Sequence, residues 1–231
     1  MDDRPTRVKI CGITSLGDAE LAAELGAWAL GMIFFEGSPR RCSYPEAERI
    51  GAALRRRAEL CGVFVNAPLE HVIATAENLG LSLLQLQGEE GPSYCAEAAR
   101  RSGARVIKAV QVAVPGDVRD LQRFHVDFHL LDARPSRAPG DRRAPALRGG
   151  TGEVFDWELA CNRGSDVPLI LSGGLGPVNV AEAIARTHPY AVDTASGTEA
   201  APGHKDPEKL RAFFSAVAAS NRAPLGIGQP A

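Results

Sequence analysis

The feature that most constrains the fold is an alternation of short apolar runs with longer amphipathic segments. The segment DAELAAEL, which follows the first run, has the spacing of an amphipathic helix. Strands that alternate with helices pair in parallel and are joined by right-handed crossovers. Eight runs are rich in apolar and β-branched residues: Arg7–Ile13, Trp28–Phe35, Leu60–Val65, Ser82–Gln87, Arg105–Val112, Phe128–Asp132, Pro168–Ser172 and Tyr190–Thr194. They predict an α/β fold.

Helix-start signals lie between these runs. Proline suits the first helical turn because its missing N–H needs no partner there. The prolines in such places are Pro45, Pro68, Pro92, Pro115, Pro177 and Pro207. The candidate N-cap residues are Ser15, in a capping box with Asp18, then Ser43, Asn66 and Asp206. These signals support one helix after each predicted strand.

Eight βα units fit a closed (βα)8 TIM barrel better than an open doubly wound sheet. The dinucleotide fingerprint G-x-G-x-x-G of the open fold is absent after the first strand. We find no linker that divides the chain. The prediction is a single catalytic domain over residues 1–219, a flexible C-terminal tail over 220–231, and a long Arg- and Pro-rich loop over 133–149.

Charge and composition narrow the classes of partner. The formal net charge of -2 gives no indication of nucleic-acid binding. The start MDDRPTR lacks an apolar signal region, and no apolar run approaches the roughly 20 residues that cross a bilayer. The five cysteines are widely spaced and suggest neither disulfides nor zinc. We expect a cytoplasmic protein without cofactor or metal, whose partner is a small phosphorylated molecule.

Polar or reactive residues end the predicted strands, where a βα barrel builds its active site. Cys11 ends the first strand, and strand alternation puts Lys9 on the same face. A nearby ammonium would lower the pKa of the thiol and favour a thiolate base. The alternative is an inert buried cysteine.

Asp132 ends the very apolar strand FHLLD. Partial burial would raise the pKa of its carboxyl and make it a candidate general acid. The alternative is an aspartate that caps the following loop. Asp193 in YAVDTASG has the same ambiguity.

Glycine-rich turns late in the chain predict a phosphate site. Barrels of this kind bind phosphate with backbone N–H groups of the loops after strands seven and eight. The turns contain Gly150 and Gly152, then Ser172, Gly173 and Gly174, then Ser196 and Gly197. Arg40, after the second strand, is a candidate clamp for a carboxylate or an aromatic ring, although a solvated loop arginine is equally consistent with its position.

Taken together, these motifs resemble the phosphoribosylanthranilate isomerase family. The resemblance covers nearly the whole chain up to the last helix. The motifs are KICGIT (9–14), GSPR (37–40), GVFVN (62–66), QLQGEE (85–90), LLDA (130–133), GGTGEVFDW (149–157), LSGGLGPVNV (171–180) and VDTASGTEAAPGHKD (192–206).

The resemblance implies a metal-free and cofactor-free Amadori rearrangement in tryptophan biosynthesis. Asp132 would be the general acid and Cys11 the general base. Arg40 would hold the anthranilate end of the substrate, and Asp193 would face its amino group. Gln85 and Gln87 would contact the substrate, and the glycine turns would bind its phosphate. The protein would act as a monomer or a homodimer.

Two departures from the family pattern bear on rate and specificity. Gln87 stands where the family usually has histidine, and Ala195 where it commonly has serine. Two alternatives stay open. The related isomerase of histidine biosynthesis has an aspartate in place of Cys11. A barrel with no activity or altered specificity would bind a phosphorylated sugar instead.

Overall fold

The computed structural model describes residues 4–133 and 156–222. The eight strands of the barrel are β1 (Arg7–Cys11), β2 (Ala29–Ile33), β3 (Glu59–Phe64), β4 (Leu83–Leu86), β5 (Arg105–Val112), β6 (Phe128–Ala133), β7 (Leu169–Leu171) and β8 (Ala191–Thr194). Each overlaps one of the eight predicted runs. All neighbours pair in parallel, and β8 closes the barrel onto β1. The predicted (βα)8 fold is therefore confirmed.

One helix follows each strand. The helices are α1 (Leu16–Glu24), α2 (Tyr44–Leu54), α3 (Leu69–Leu79), α4 (Pro92–Ser102), α5 (Pro115–Arg119), α6 (Glu158–Cys161), α7 (Val180–Thr187) and α8 (Pro207–Arg222). Between β8 and α8, a short turn (Ser196–Thr198) leads into an antiparallel pair, β9 (Glu199–Ala201) and β10 (His204–Lys205). Within the described ranges, no helix has both the length and the apolar character that crossing a membrane requires.

Most of the predicted caps are present. The Ser15 hydroxyl accepts the Asp18 N–H at 3.2 Å, and the Ser43 hydroxyl accepts the Glu46 N–H at 3.4 Å. Asp206 caps α8 by accepting the Glu208 and Lys209 N–H groups.

Two details of the cap prediction were wrong. Only half of the box is formed: the Ser15 hydroxyl accepts the Asp18 N–H, but the Asp18 carboxylate accepts the Lys205 N–H rather than that of Ser15. Asn66 does not cap α3, which Pro68 precedes directly. Asn66 adopts a φ of 50°, and its side-chain oxygen accepts the Glu89 N–H at 2.6 Å. It therefore joins two loops at the barrel mouth.

Strand alternation creates two separate apolar regions. One face of each strand packs under the helices, as Ile10 and Leu131 do, and this outer layer is the larger core. The other face fills the barrel with a smaller cluster that includes Cys11, Cys61 and Leu130. The polar strand-end residues share this inner face, so the barrel projects them toward its mouth.

Aromatic rings close the opposite end of the barrel. Trp28 makes edge-on contacts with Phe128 and Tyr190, with ring centroids 5.5 and 5.4 Å apart. Helix α8 continues to Arg222, three residues past the predicted domain boundary, and Asn221 ties it to β1 through two hydrogen bonds with the Thr6 backbone. Residues 223–231 of the predicted tail and residues 134–149 of the predicted Arg- and Pro-rich loop lie outside the described residues.

Candidate active site

A cavity of about 320 Å³ opens at the carboxyl ends of the strands, which is a usual size for a small-molecule site. Most of the predicted site residues line it: Cys11, Arg40, Gln85, Gln87, Asp132, Ser172, Gly173, Gly174, Asp193 and Ser196. Gly197 lies in the turn next to it. Gly150 and Gly152 lie outside the described residues.

The two predicted catalytic residues line the same cavity. Cys11 ends β1 and Asp132 lies near the end of β6, and both residues are only 6% exposed. Strands β7 and β8 separate β1 from β6 around the barrel. A substrate between them would therefore have a thiol on one side and a carboxyl on the other.

Burial changes the acidity of Asp132. Loss of solvent and the nearby negative charge of Asp193 raise the pKa of the Asp132 carboxyl to about 7. Gln87 donates from Nε2 to Asp132 Oδ2 at 3.2 Å, and Gln85 donates to Gln87 Oε1. The predicted rise in pKa is confirmed, and at neutral pH this carboxyl can both donate and accept a proton.

An ion pair inside the barrel holds Asp193. The fully buried Lys9 Nζ donates to Asp193 Oδ1 at 2.7 Å. Burial alone would lower the pKa of Lys9, but the charge and hydrogen bond of Asp193, together with the neighbouring thiols Cys11 and Cys61, outweigh burial and the pKa is raised. Lys9 therefore keeps its proton, and Asp193 is fixed as its counter-ion.

Ser172 contributes to the same cluster rather than to a phosphate site. Its hydroxyl donates to Asp193 Oδ2 at 3.0 Å, and its backbone N–H donates to Leu131 O at 2.8 Å. Both of its donors are occupied, so they do not support the prediction that Ser172 binds phosphate.

The predicted pKa direction for Cys11 was wrong. Burial raises the pKa of the Cys11 thiol, and the positive charges of Lys9 and Lys205 offset this only in part. Loss of solvent disfavours the thiolate more strongly than Lys9 favours it, and the negative charge of Asp193 raises the pKa further. Cys11 is thus a thiol at neutral pH and a strong base once ionised.

Backbone N–H groups line one edge of the cavity. Gly173 and Gly174 have φ values of 86° and 63°, which favour glycine. No acceptor among the described residues takes their N–H groups. Ser196 and Gly197 open the short turn after β8, where the first N–H groups have no partner within the turn. Gly173, Gly174 and Ser196 line the cavity, and backbone N–H groups of such loops are typical donors to phosphate.

Close backbone packing requires glycine at 197. A Cβ atom there would lie 2.0 Å from the carbonyl oxygen of Leu175. We predict that Gly197→Ala lowers the free energy of unfolding by about 1–3 kcal/mol, as measured by urea denaturation, and weakens binding of phosphorylated ligands. Gly17→Ala is the matched control. A Cβ at Gly17 meets nothing within 4 Å, so it should leave stability unchanged or raise it by about 0.4–1 kcal/mol. Equal stability of the two variants would contradict the prediction.

Arg40 reaches the cavity, but it is not a free loop side chain. Its Nε and Nη2 donate to both oxygens of Glu199 at 2.8–3.0 Å. The Arg40 side chain is 12% exposed and that of Glu199 is 4% exposed. The interpretation of Arg40 as a solvated loop arginine was therefore wrong.

Our sequence reasoning missed two pairs of buried charges. Glu199 pairs with Lys205, and Glu90 pairs with Lys108 below the loop that carries Gln87. Lys108 lies within the strand VIKAV, and a charge in so apolar a run indicates a buried partner. No such local signal marks Glu199, which lies in a turn-rich segment.

Comparison with known proteins identifies the family. The model of the family "N-(5'phosphoribosyl)anthranilate (PRA) isomerase" matches residues 8–216 of the chain. The chain belongs to this family. A phosphoribosylanthranilate isomerase from Geobacter sp. strain M21 is 47% identical over 210 residues, which cover 91% of this chain and 97% of the relative.

Solved structures of phosphoribosylanthranilate isomerases share the fold. A structure of monomers made from the dimeric Thermotoga maritima enzyme is 36% identical, with a TM-score of 0.77 over 93% of this chain and 99% of that chain. A phosphoribosylanthranilate isomerase in complex with reduced 1-(o-carboxyphenylamino)-1-deoxyribulose 5-phosphate is 37% identical, with a TM-score of 0.75 and the same two coverages. The resemblance drawn from the sequence motifs is confirmed.

Proposed function

We propose that this chain isomerises N-(5-phosphoribosyl)anthranilate to 1-(2-carboxyphenylamino)-1-deoxyribulose 5-phosphate in tryptophan biosynthesis, with Asp132 as general acid and Cys11 as general base. One observation carries the assignment of these roles. A carboxyl with a pKa of about 7 and a thiol line one cavity, which is also lined by glycine-rich turns that carry backbone N–H donors. This arrangement matches a reaction that needs one proton donor, one proton acceptor and a phosphate anchor.

The first step opens the sugar ring. Asp132 gives its proton to the furanose ring oxygen, the C1′–O bond breaks, and the anthranilate nitrogen supplies the electron pair that forms a Schiff base. The Asp132 carboxylate that results accepts a hydrogen bond from Gln87 Nε2. Gln87 thus stabilises the charged product of proton transfer without being charged itself.

The second step moves the double bond. The Cys11 thiolate removes the proton from C2′ of the Schiff base, and the electron pair of that C–H bond forms an enolamine. Tautomerisation of the enolamine to the ketone completes the rearrangement. The cationic Schiff base favours both thiolate formation and loss of the C2′ proton.

Groups at opposite ends of the cavity would hold the substrate. The N–H groups of Gly173, Gly174, Ser196 and Gly197 would bind the phosphate, and Arg40 would bind the anthranilate carboxylate. Asp193, held by Lys9 and Ser172, would face the anthranilate nitrogen. Fixing both ends places C2′ and the ring oxygen between base and acid, and such positioning removes several kcal/mol of barrier.

The presence of Gln87, where the family usually has histidine, fits the same chemistry. Gln85 donates to Gln87 Oε1, which directs the Gln87 amide N–H groups toward Asp132. A neutral donor is sufficient at this place because the group that changes charge is Asp132. We infer that Gln87 replaces the usual imidazole as a hydrogen-bond donor. We further propose that the protein acts in the cytoplasm as a monomer or a homodimer.

Loss of anthranilate fluorescence tests the function directly. Purified protein should convert N-(5-phosphoribosyl)anthranilate with a fall in fluorescence, and a chelator should leave the rate unchanged. A pure, folded protein that binds the substrate without turnover would instead support a binding barrel. Turnover of the corresponding aminoimidazole-carboxamide ribotide in its place would support the histidine-pathway isomerase.

A further inference from the structure

One buried ammonium connects three segments that meet at the cavity. Lys205 Nζ donates to Cys11 O at 2.7 Å, to Ala195 O at 3.0 Å and to Glu199 Oε1 at 3.3 Å. Its side chain is fully buried. An ammonium has three N–H groups, so all of them are engaged.

The partners of Lys205 belong to separate parts of the proposed site. Cys11 ends β1 and is the proposed base. Ala195 directly precedes the turn that begins with Ser196, where the phosphate would bind. Glu199 begins β9 and holds Arg40. A shift of the ammonium would therefore disturb the proposed base, the turn where the phosphate would bind and the Arg40 side chain together.

Glu199 fixes one edge of the Arg40 guanidinium. Arg40 Nε lies 2.9 and 3.0 Å from the two carboxylate oxygens, and Nη2 lies 2.8 Å from Oε2. No described residue accepts from Nη1, and Arg40 lines the cavity. The paired edge orients the guanidinium, and the remaining N–H groups stay available to an anionic ligand.

Charge balance explains why two cations surround one carboxylate. Burial would raise the pKa of Glu199, but hydrogen bonds and charges from Arg40 and Lys205 lower it overall. Neither Glu199 nor Lys205 lines the cavity. Buried ion pairs bring little net stability because desolvation costs much of what attraction supplies. A positional role accounts for them better than a stabilising one.

We propose that Glu199 and Lys205 are positioning residues for the isomerase. Glu199 orients Arg40 toward the anthranilate carboxylate, and Lys205 ties that carboxylate–guanidinium pair to the strand end of Cys11 and to the phosphate turn. This inference rests on the proposed function. It adds two residues that act through others and do not touch the substrate.

A double-mutant cycle tests the Glu199 role. In the otherwise unchanged protein, Glu199→Gln should raise KM by about tenfold with a smaller effect on kcat. In an Arg40→Gln background it should raise KM by less than about twofold, because the guanidinium that it orients is gone. A purely structural carboxylate would change KM by the same factor in both backgrounds. That outcome, or a KM within twofold of the parent, would overturn the proposal.

Two additions keep the cycle decisive. If Glu199→Gln does not fold, Glu199→Asp shortens the side chain by one methylene and replaces it in the cycle. Glu70→Gln is the matched control, because Glu70 pairs with Arg101 at 2.6 and 2.7 Å on the exposed surface of the barrel. It should leave KM unchanged.

The Lys205 role has a different readout. Lys205→Met keeps an unbranched side chain of similar bulk but removes the ammonium and releases the Cys11 carbonyl, so it should lower kcat by about tenfold as well as raise KM. An unchanged kcat would remove Lys205 from the proposal.

A fluorescence titration with anthranilate alone measures ligand binding by the variants of the Glu199–Arg40 cycle without any turnover. If the parent protein shows no turnover, the proposed function is refuted, while the binding titration still tests the Glu199–Arg40 pair. If the parent protein does not bind anthranilate, the positioning role is refuted as well.

Discussion

Replacing Asp132 by asparagine is expected to lower kcat/KM for N-(5-phosphoribosyl)anthranilate by at least about 100-fold, the lower end of what a general acid contributes. The amide is nearly isosteric and can keep a hydrogen bond with Gln87, so the site should keep its shape. What it loses is a proton that can reach the ring oxygen. Anthranilate fluorescence measures the loss.

The pH profile distinguishes this role from simple structural damage. The productive free enzyme needs Asp132 protonated and Cys11 ionised, although the pKa of Asp132 is about 7 and that of Cys11 is raised from its ordinary value near 9. Below pH 7 the acid is protonated and the thiolate fraction rises with pH. Above pH 7 the loss of acid cancels this gain until the thiol itself titrates. The break near pH 7, where the rise of kcat/KM with pH levels off, therefore belongs to Asp132.

In Asp132→Asn the break near pH 7 should disappear. The residual kcat/KM should rise with pH until Cys11 is ionised. Asp120→Asn, which changes an exposed carboxyl in the short turn after α5, is the control and should keep both the rate and the break near pH 7. Retention of the break near pH 7 in Asp132→Asn, or a rate within a few-fold of the parent, would remove Asp132 from the acid role.

The parts of the fold that follow from local patterns were predictable. The eight strands and the caps at Ser15, Ser43 and Asp206 depend on residues within a few positions of one another. The placement of Cys11 and Asp132 on one cavity followed from strand alternation and from the fact that parallel strands in a barrel end on one face. These rules require no knowledge of distant contacts.

The parts that depend on distant partners were not predictable. Arg40 and Glu199 are 159 positions apart, so no local pattern joins them. The same limit applies to Ser172, whose hydroxyl is taken by Asp193. The direction of the Cys11 pKa shift depends on how completely the thiol is desolvated, and a lysine two positions earlier does not reveal that. Asn66 was assigned to the nearest helix, whereas its partner lies in the next loop.

The largest expected effect on the second half of the reaction comes from Cys11→Ala. Without the thiolate no described group is placed to remove the C2′ proton, so kcat should fall by at least about 100-fold. Cys61→Ala is the matched control. Cys61, like Cys11, is buried on the inner face of the barrel. Its thiol does not line the cavity, and its pKa is raised to about 12. It should keep kcat within a few-fold of the parent.

The pH dependence of the Cys11→Ala variant should be the reverse of that of Asp132→Asn. With the base removed, its residual kcat/KM should be level below pH 7 and fall as Asp132 loses its proton above it. Opposite slopes in the two variants are expected only if one residue acts protonated and the other ionised. Equal slopes, or full activity of Cys11→Ala at any pH, would show that a different group removes the proton. Because Asp193 is already paired with Lys9 and Ser172, that group would have to come from the substrate or from solvent.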